Sequence, residues 1–137
     1  MTDRFELTLL NQPREVARAQ DELERYGARQ NFPQRKLRDL QLALEEHLTN
    51  ILRYAYPDGA EHRIAVCFES NPPELRIEVV DDGHPFDPLG HPAPDLNLPI
   101  EQRPVGGLGI HMIRQSLDQV EYRREPGRNV LVMMKRA

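Results

Sequence analysis

Phe5, Leu7 and Leu9 fall on every second residue with Glu6 and Thr8 between them, which predicts a strand over about Arg4 to Leu10 with one face buried. The period then lengthens. Val16, Ala19, Leu23 and Tyr26 recur at threes and fours, predicting a helix with Asn11 as its cap, Pro13 in its first turn and Gly27 at its close. Asn31 and Pro33 repeat the start signal. Leu37, Leu40, Leu44, Leu48, Ile51 and Ala55 then line one side of a longer helix, broken by Pro57-Asp58-Gly59. Period two returns at Ile64, Val66 and Phe68 and, after a turn at Asn71-Pro72-Pro73, at Leu75, Ile77 and Val79. The two runs read as a hairpin that delivers Asp81 at its far end.

From His84 to Pro104 no period survives. Pro85, Pro88, Pro92, Pro94, Pro99 and Pro104 make up half of the chain's 12 prolines, so neither a regular helix nor a central strand runs through this stretch. A long segment without structure inside a compact domain is a lid, a binding loop or a surface excursion; its place between two chemically suggestive stretches favours a lid over residues 84–105. Beyond Gly106-Gly107-Leu108-Gly109, the residues Leu108, Met112, Ile113 and Leu117 predict a short amphipathic helix. Val120 and Tyr122 begin a strand, Pro126-Gly127 turns it, and Val130, Val132 and Met134 belong to the last strand. Neighbouring strands joined by tight turns imply a mixed, mostly antiparallel sheet with helices on one face, a two-layer α/β sandwich.

At 137 residues the chain is expected to be one domain, 1–137, with a core of its own. The formal charge of −4, with Lys and Arg scattered among acids, argues against a nucleic-acid binder. Cys67 stands alone in a strand pattern, as a small half-buried residue with no disulfide partner. Met1 to Glu6 lacks the pattern of a secretory signal and no apolar run reaches membrane-spanning length, so a soluble, cytoplasmic protein is expected.

Three stretches carry chemistry. Glu46 and Asn50 lie off the apolar stripe of the long helix, four residues apart, so a carboxylate and an amide point the same way. Such a pair can accept a proton and hold a metal ion. Magnesium takes one or two protein oxygens and fills its shell with water and phosphate oxygens, which suits Asn50, and Glu46 one turn away is placed as a general base. Glu45 points about 100° round the helix and reads as a surface neighbour. Asp81 at a strand end can accept a hydrogen bond from an exocyclic amino group such as that of adenine, and Gly83 lets a flat ring approach the backbone. Gly106, Gly107, Leu108 and Gly109 open a helix whose free backbone N–H groups and dipole favour phosphates. They lack the Lys-Ser/Thr that ends a P-loop and follow no strand directly.

With these motifs in this order, the chain resembles the ATP-binding domain shared by gyrase, a heat-shock chaperone, histidine kinases and mismatch-repair ATPases. Within that group it is most similar to the small bacterial anti-sigma-factor serine kinases. The resemblance covers nearly the whole chain. It implies a Bergerat-type fold, ATP and Mg2+ as cofactors, Glu46 as base and Asn50 as magnesium ligand. It further implies Asp81 and Gly83 at adenine, and Gly106, Gly107, Leu108 and Gly109 at the phosphates. The segment Ser116 to Tyr122 also resembles the family's approach to its next strand. Two positions depart from the pattern: Pro85 stands where many relatives carry a second glycine, and Arg128 follows Gly127 where a threonine near adenine is usual. Arg103 lies outside the family's spacing, and His47, His84, His91 and His111 show no metal-ligand spacing.

The resemblance implies a sigma factor and a small anti-sigma antagonist as partners, the latter phosphorylated on serine or threonine, and a homodimer. The expected function is therefore an ATP-dependent protein kinase in a partner-switching pathway. The alternatives are a nucleotide-dependent binding module without phosphoryl transfer, since fold alone does not fix function, and a simple ATP hydrolase.

Overall fold

A computed structural model describes residues 2–90 and 114–137 of the chain. The elements are β1 (Asp3–Leu10), α1 (Pro13–Arg29), α2 (Gln34–Tyr54), β2 (Arg63–Asn71), β3 (Glu74–Asp81), β4 (Gln119–Glu125) and β5 (Arg128–Arg136). A single 3-10 turn occupies Pro88–Gly90, and of the predicted third helix the described residues 114–116 are helical.

The strands form one sheet in the order β1-β2-β3-β5-β4. A mixed, mostly antiparallel sheet was expected, and every pairing among the described residues is antiparallel: β2 with β3 and β4 with β5 are hairpins, β2 comes back to β1 after the two helices, and β5 returns alongside β3. Alternation sets what each strand buries. Leu9, Ile64, Val66, Phe68, Leu75, Ile77, Val79, Leu131 and Met133 point to one side and meet Ala19, Leu23, Tyr26, Leu40, Leu44, Leu48 and Ile51 of the two helices in one core. The same face of β3 and β5 ends in polar residues, Asp81 and Asn129, which lie opposite each other in register. The last pair in an apolar row is thus a carboxylate and an amide.

Helix boundaries differ from the sequence expectation. Gly27 does not end α1, which runs to Arg29; it lies inside the helix, where a Cβ would come within 2.6 Å of Leu37 Cδ2. The glycine serves the close approach of α1 to the start of α2. The positive-φ residue beyond the helix is Asn31, at 55°. Nor does Asn11 cap α1: the N-cap is Gln12, and the Asn11 side chain instead donates to Ala60 O at 3.0 Å and accepts from His62 N at 2.8 Å. For α2 the N-cap is Pro33 rather than Asn31. Among the described residues no helix is long and apolar enough to cross a membrane.

Candidate functional site

Asp81 ends the inward row of β3 and is 3 % exposed. Its Oδ1 accepts two hydrogen bonds of 3.0 Å, one from Gly83 N and one from Asn129 Nδ2. Burial pushes this carboxyl up from its ordinary value, and the bonds from Asn129 and Gly83 pull it part of the way back. Gly83 sits against the end of α2. A Cβ there would lie 2.5 Å from Ala55 Cβ and 2.7 Å from Ala55 O, so no larger residue fits without moving backbone. His84 N donates to Ala55 O at 3.1 Å, and the His84 ring also bonds Tyr54 O. The Tyr54 and Phe86 rings stack with centroids 5.7 Å apart. The first residues of the proline-rich stretch are therefore seated on the C-terminal end of α2.

Further back along α2 are Glu46 and Asn50. The sequence places both off the apolar stripe, yet Asn50 is 1 % exposed and packs with the core side of the helix. Glu46 is half-buried, and burial raises its carboxyl above the ordinary value; the Arg53 charge and the Asn50 amide work against this, and Glu45 adds to it. The Asn50 amide is close enough to favour ionised Glu46, but no bond of ordinary geometry joins them: Glu46 Oε1 and Asn50 Nδ2 are both buried without a hydrogen-bond partner among the described residues. Buried polar atoms left in this state are costly unless something meets them. Glu45 is exposed and accepts from Gln20 Nε2 at 3.3 Å, the surface neighbour expected.

His47 is the neighbour that periodicity passed over. It is 6 % exposed, both ring nitrogens lack partners among the described residues, and burial alone lowers its pKa to about 4. Glu46 and His47, with Pro88, Leu89, Leu131 and Met133, line a partly open pocket of ≈ 20 Å³. That is room for about one water molecule.

Asn129 was also missed. Arg128, the position compared with a threonine, is exposed and pairs with Glu125 at 2.6 Å; the buried polar residue facing Asp81 is the next one. The available signal was alternation, since Asn129 shares a face with Leu131 and Met133 and is polar where they are apolar. Gly106, Gly107, Leu108 and Gly109, with Arg103, His91 and His111, lie outside the described residues. So does most of the expected lid.

The described residues suit a purine nucleotide with its metal. Asp81 is held by one oxygen, Gly83 is required where the chain beyond it packs on Ala55, and a carboxylate and an amide with unmet polar atoms lie one helical turn apart. No cluster of His, Cys, Asp and Glu among the described residues forms a metal site by itself.

Among the described residues, a five-stranded antiparallel sheet with two helices on one face, and a polar corner where α2 meets the ends of β3 and β5, give the architecture of a histidine kinase-like ATPase domain. The histidine kinase-like ATPase domain family matches residues 9–135, and the chain belongs to that family. Two curated relatives, both named serine-protein kinase RsbW and both from strains of Bacillus cereus, narrow the comparison. One is 30% identical over 110 residues and the other 31% identical over 108, in each case covering 76% of this chain and 67% of the relative. Among solved structures, the chain is similar to the RsbU and RsbW domains of Rv1364c from Mycobacterium tuberculosis, with a TM-score of 0.67 at 13% identity. That alignment covers 98% of this chain and 32% of the other, so the chain spans about a third of that protein. It is also similar to a chain of the SiaB-SiaC complex from Pseudomonas aeruginosa, with a TM-score of 0.59 at 14% identity over 97% of this chain and 88% of that one. At such identities the two structures speak to the fold alone.

Proposed function

We propose that this chain is an ATP-dependent serine/threonine protein kinase that acts as an anti-sigma factor and phosphorylates a small antagonist protein in a partner-switching pathway. The observation that carries the reading is Glu46: a carboxylate with one buried oxygen unmet, raised in pKa by burial, one turn from a buried amide on the helix whose C-terminal end meets Gly83. Similarity to proteins named as serine kinases supports the same choice.

ATP with Mg2+ supplies the transferable phosphoryl group and the charge that offsets it. The remaining work falls to this chain. Asp81 accepts a hydrogen bond from the exocyclic amino group of adenine, and Gly83 presents its backbone to the ring. The Asn50 side-chain oxygen is the protein's ligand to magnesium. Backbone N–H groups of Gly106, Gly107, Leu108 and Gly109 hold the phosphates. Glu46 takes the proton from the acceptor's serine or threonine hydroxyl; a base whose pKa has been lifted toward the working pH does this better than an ordinary carboxylate. Residues 84–105 close over the nucleotide, within a single domain of residues 1–137.

The test is transfer of labelled phosphate from ATP to candidate antagonists. Glu46→Gln keeps ATP affinity within about threefold and lowers transfer by at least 100-fold, the scale on which a positioned base contributes. Binding and transfer that fall together would remove Glu46 from the chemistry. Nucleotide binding with no transfer to any acceptor would favour a regulatory binding module over a kinase.

A further inference from the structure

Asn129 belongs to no motif of the family resemblance, yet its amide is bonded on both sides. Nδ2 faces acceptors: Asp81 Oδ1 at 3.0 Å, His84 O at 3.0 Å and, at a longer 3.5 Å, Gly83 O. Oδ1 faces donors: the Tyr122 hydroxyl at 2.6 Å, Arg124 Nη1 at 3.2 Å and Phe86 N at 3.4 Å. Arg124 Nη1 closes the ring by donating to Gly83 O at 2.8 Å. The partners fix the amide's orientation, because the reverse one would set a carbonyl oxygen against a carboxylate and two carbonyls. Both Nδ2 hydrogens are engaged within the protein, so Asn129 has no donor left for a ligand and can act on one only through Asp81.

We propose that Asn129 is a positioning residue for the adenine end of the site. Its amide pins Asp81 Oδ1, leaving Oδ2 to accept from the base, and ties residues 83–86 to Tyr122 and Arg124 of the edge strand β4. Discrimination for a purine bearing a 6-amino group thus depends on a residue that does not touch it. The inference rests on the nucleotide reading above, deepens it at one residue, and joins two stretches 45 residues apart through a single side chain.

The test uses the full chain in two arms. Without nucleotide, carboxyl-carbon NMR follows the Asp81 titration and amide exchange follows Phe86. Asn129→Ala removes a donor from the ionised carboxylate, so the Asp81 pKa rises above its native value and Phe86 loses protection. With nucleotide, calorimetry compares ATP with purine riboside triphosphate, which lacks the 6-amino group. Asn129→Ala weakens ATP at least roughly tenfold, the scale of a hydrogen bond to a charged group, and weakens the analogue less than about threefold. Equal losses for the two nucleotides, or an unmoved Asp81 titration, would reduce Asn129 to a structural residue. Should Asn129→Ala fail to fold, Tyr122→Phe removes one donor with little change of shape; it moves Phe86 protection and ATP affinity in the same directions, and an unaltered Phe86 overturns the tie to β4. Failure of the native chain to bind ATP would strike the nucleotide reading instead, and the ligand-free arm still decides whether Asn129 holds Asp81.

Discussion

His47 shows what one buried side chain does to a whole chain's response to acid. Its pKa falls from 6.5 to about 4 on folding, so between those values the unfolded chain binds a proton that the folded chain refuses. Stability is therefore lost as pH drops through that window, by about 3 kcal/mol if the full shift is expressed. His47→Leu removes the loss. Urea unfolding of native chain and variant should give stabilities whose difference moves in the variant's favour from pH 6.5 to 4, and a constant difference would contradict a buried neutral imidazole. Glu46 and Asp81 carry raised values and act in the opposite sense, but they are common to both chains. Gly83 gives a second test at this scale. Gly83→Ala must displace Ala55 or the Asp81 carboxylate, which costs about 1–3 kcal/mol and disturbs the adenine corner with it. Thermal melts and ATP titration of that variant should fall together. Although the burial of Asn50 was not foreseen, Asp81, Gly83, Glu46 and Asn50 were legible in the sequence as candidates, because spacing and residue type name them. His47 and Asn129 were not: each is a polar residue on an inward face, and only the packed neighbours reveal whether such a residue is buried, bonded or solvated.

Among the elements, α2 organises the molecule. Its leucines cover the sheet, its Glu46 and Asn50 face the candidate chemistry, and its last turn seats Gly83 and His84. Among the described residues, α1, α2 and all five strands were readable from period alone, because each buries one face and so repeats its apolar residues. Their ends were less so. Gly27 reads as a stop but is a contact with Leu37, and Asn11 reads as a cap but bonds Ala60 and His62; in both, a tertiary partner decides a residue that local rules would assign otherwise. The loop after α2 is held by His62, whose ring stacks on Tyr56 with centroids 4.0 Å apart and reaches Asp58 at 3.0 Å and Asp82 at 3.3 Å. The bond to Asp58 raises its pKa most; burial opposes the rise, and Asp82 adds to it. A raised value means the ion pairs are complete below the ordinary histidine pKa and are lost as pH rises through the folded one. Protection of the Ala60 amide, corrected for intrinsic exchange, should accordingly fall across that range in the native chain and be low throughout in His62→Ala. An identical pH profile in the two would mean that the clamp does not form.

For the molecule as a whole, the proposed function gives the sheet, the two described helices and the corner at Asp81 one use, to hold a nucleotide where α2 meets the ends of β3 and β5. Family membership establishes the domain type, and the kinase reading adds Glu46 and a protein acceptor. Everything in that reading depends on the chain binding ATP through Asp81. Calorimetric titration of ATP, with and without magnesium, on the native chain and on Asp81→Asn measures that dependence directly. The substitution keeps the shape of the side chain while presenting a donor to adenine's amino group, once the Asn oxygen has satisfied Gly83 N and Asn129. Recognition through Asp81 requires magnesium-dependent binding in the native chain and its loss in the variant. A native chain that does not bind ATP, or a variant that binds as well as the native, would contradict it.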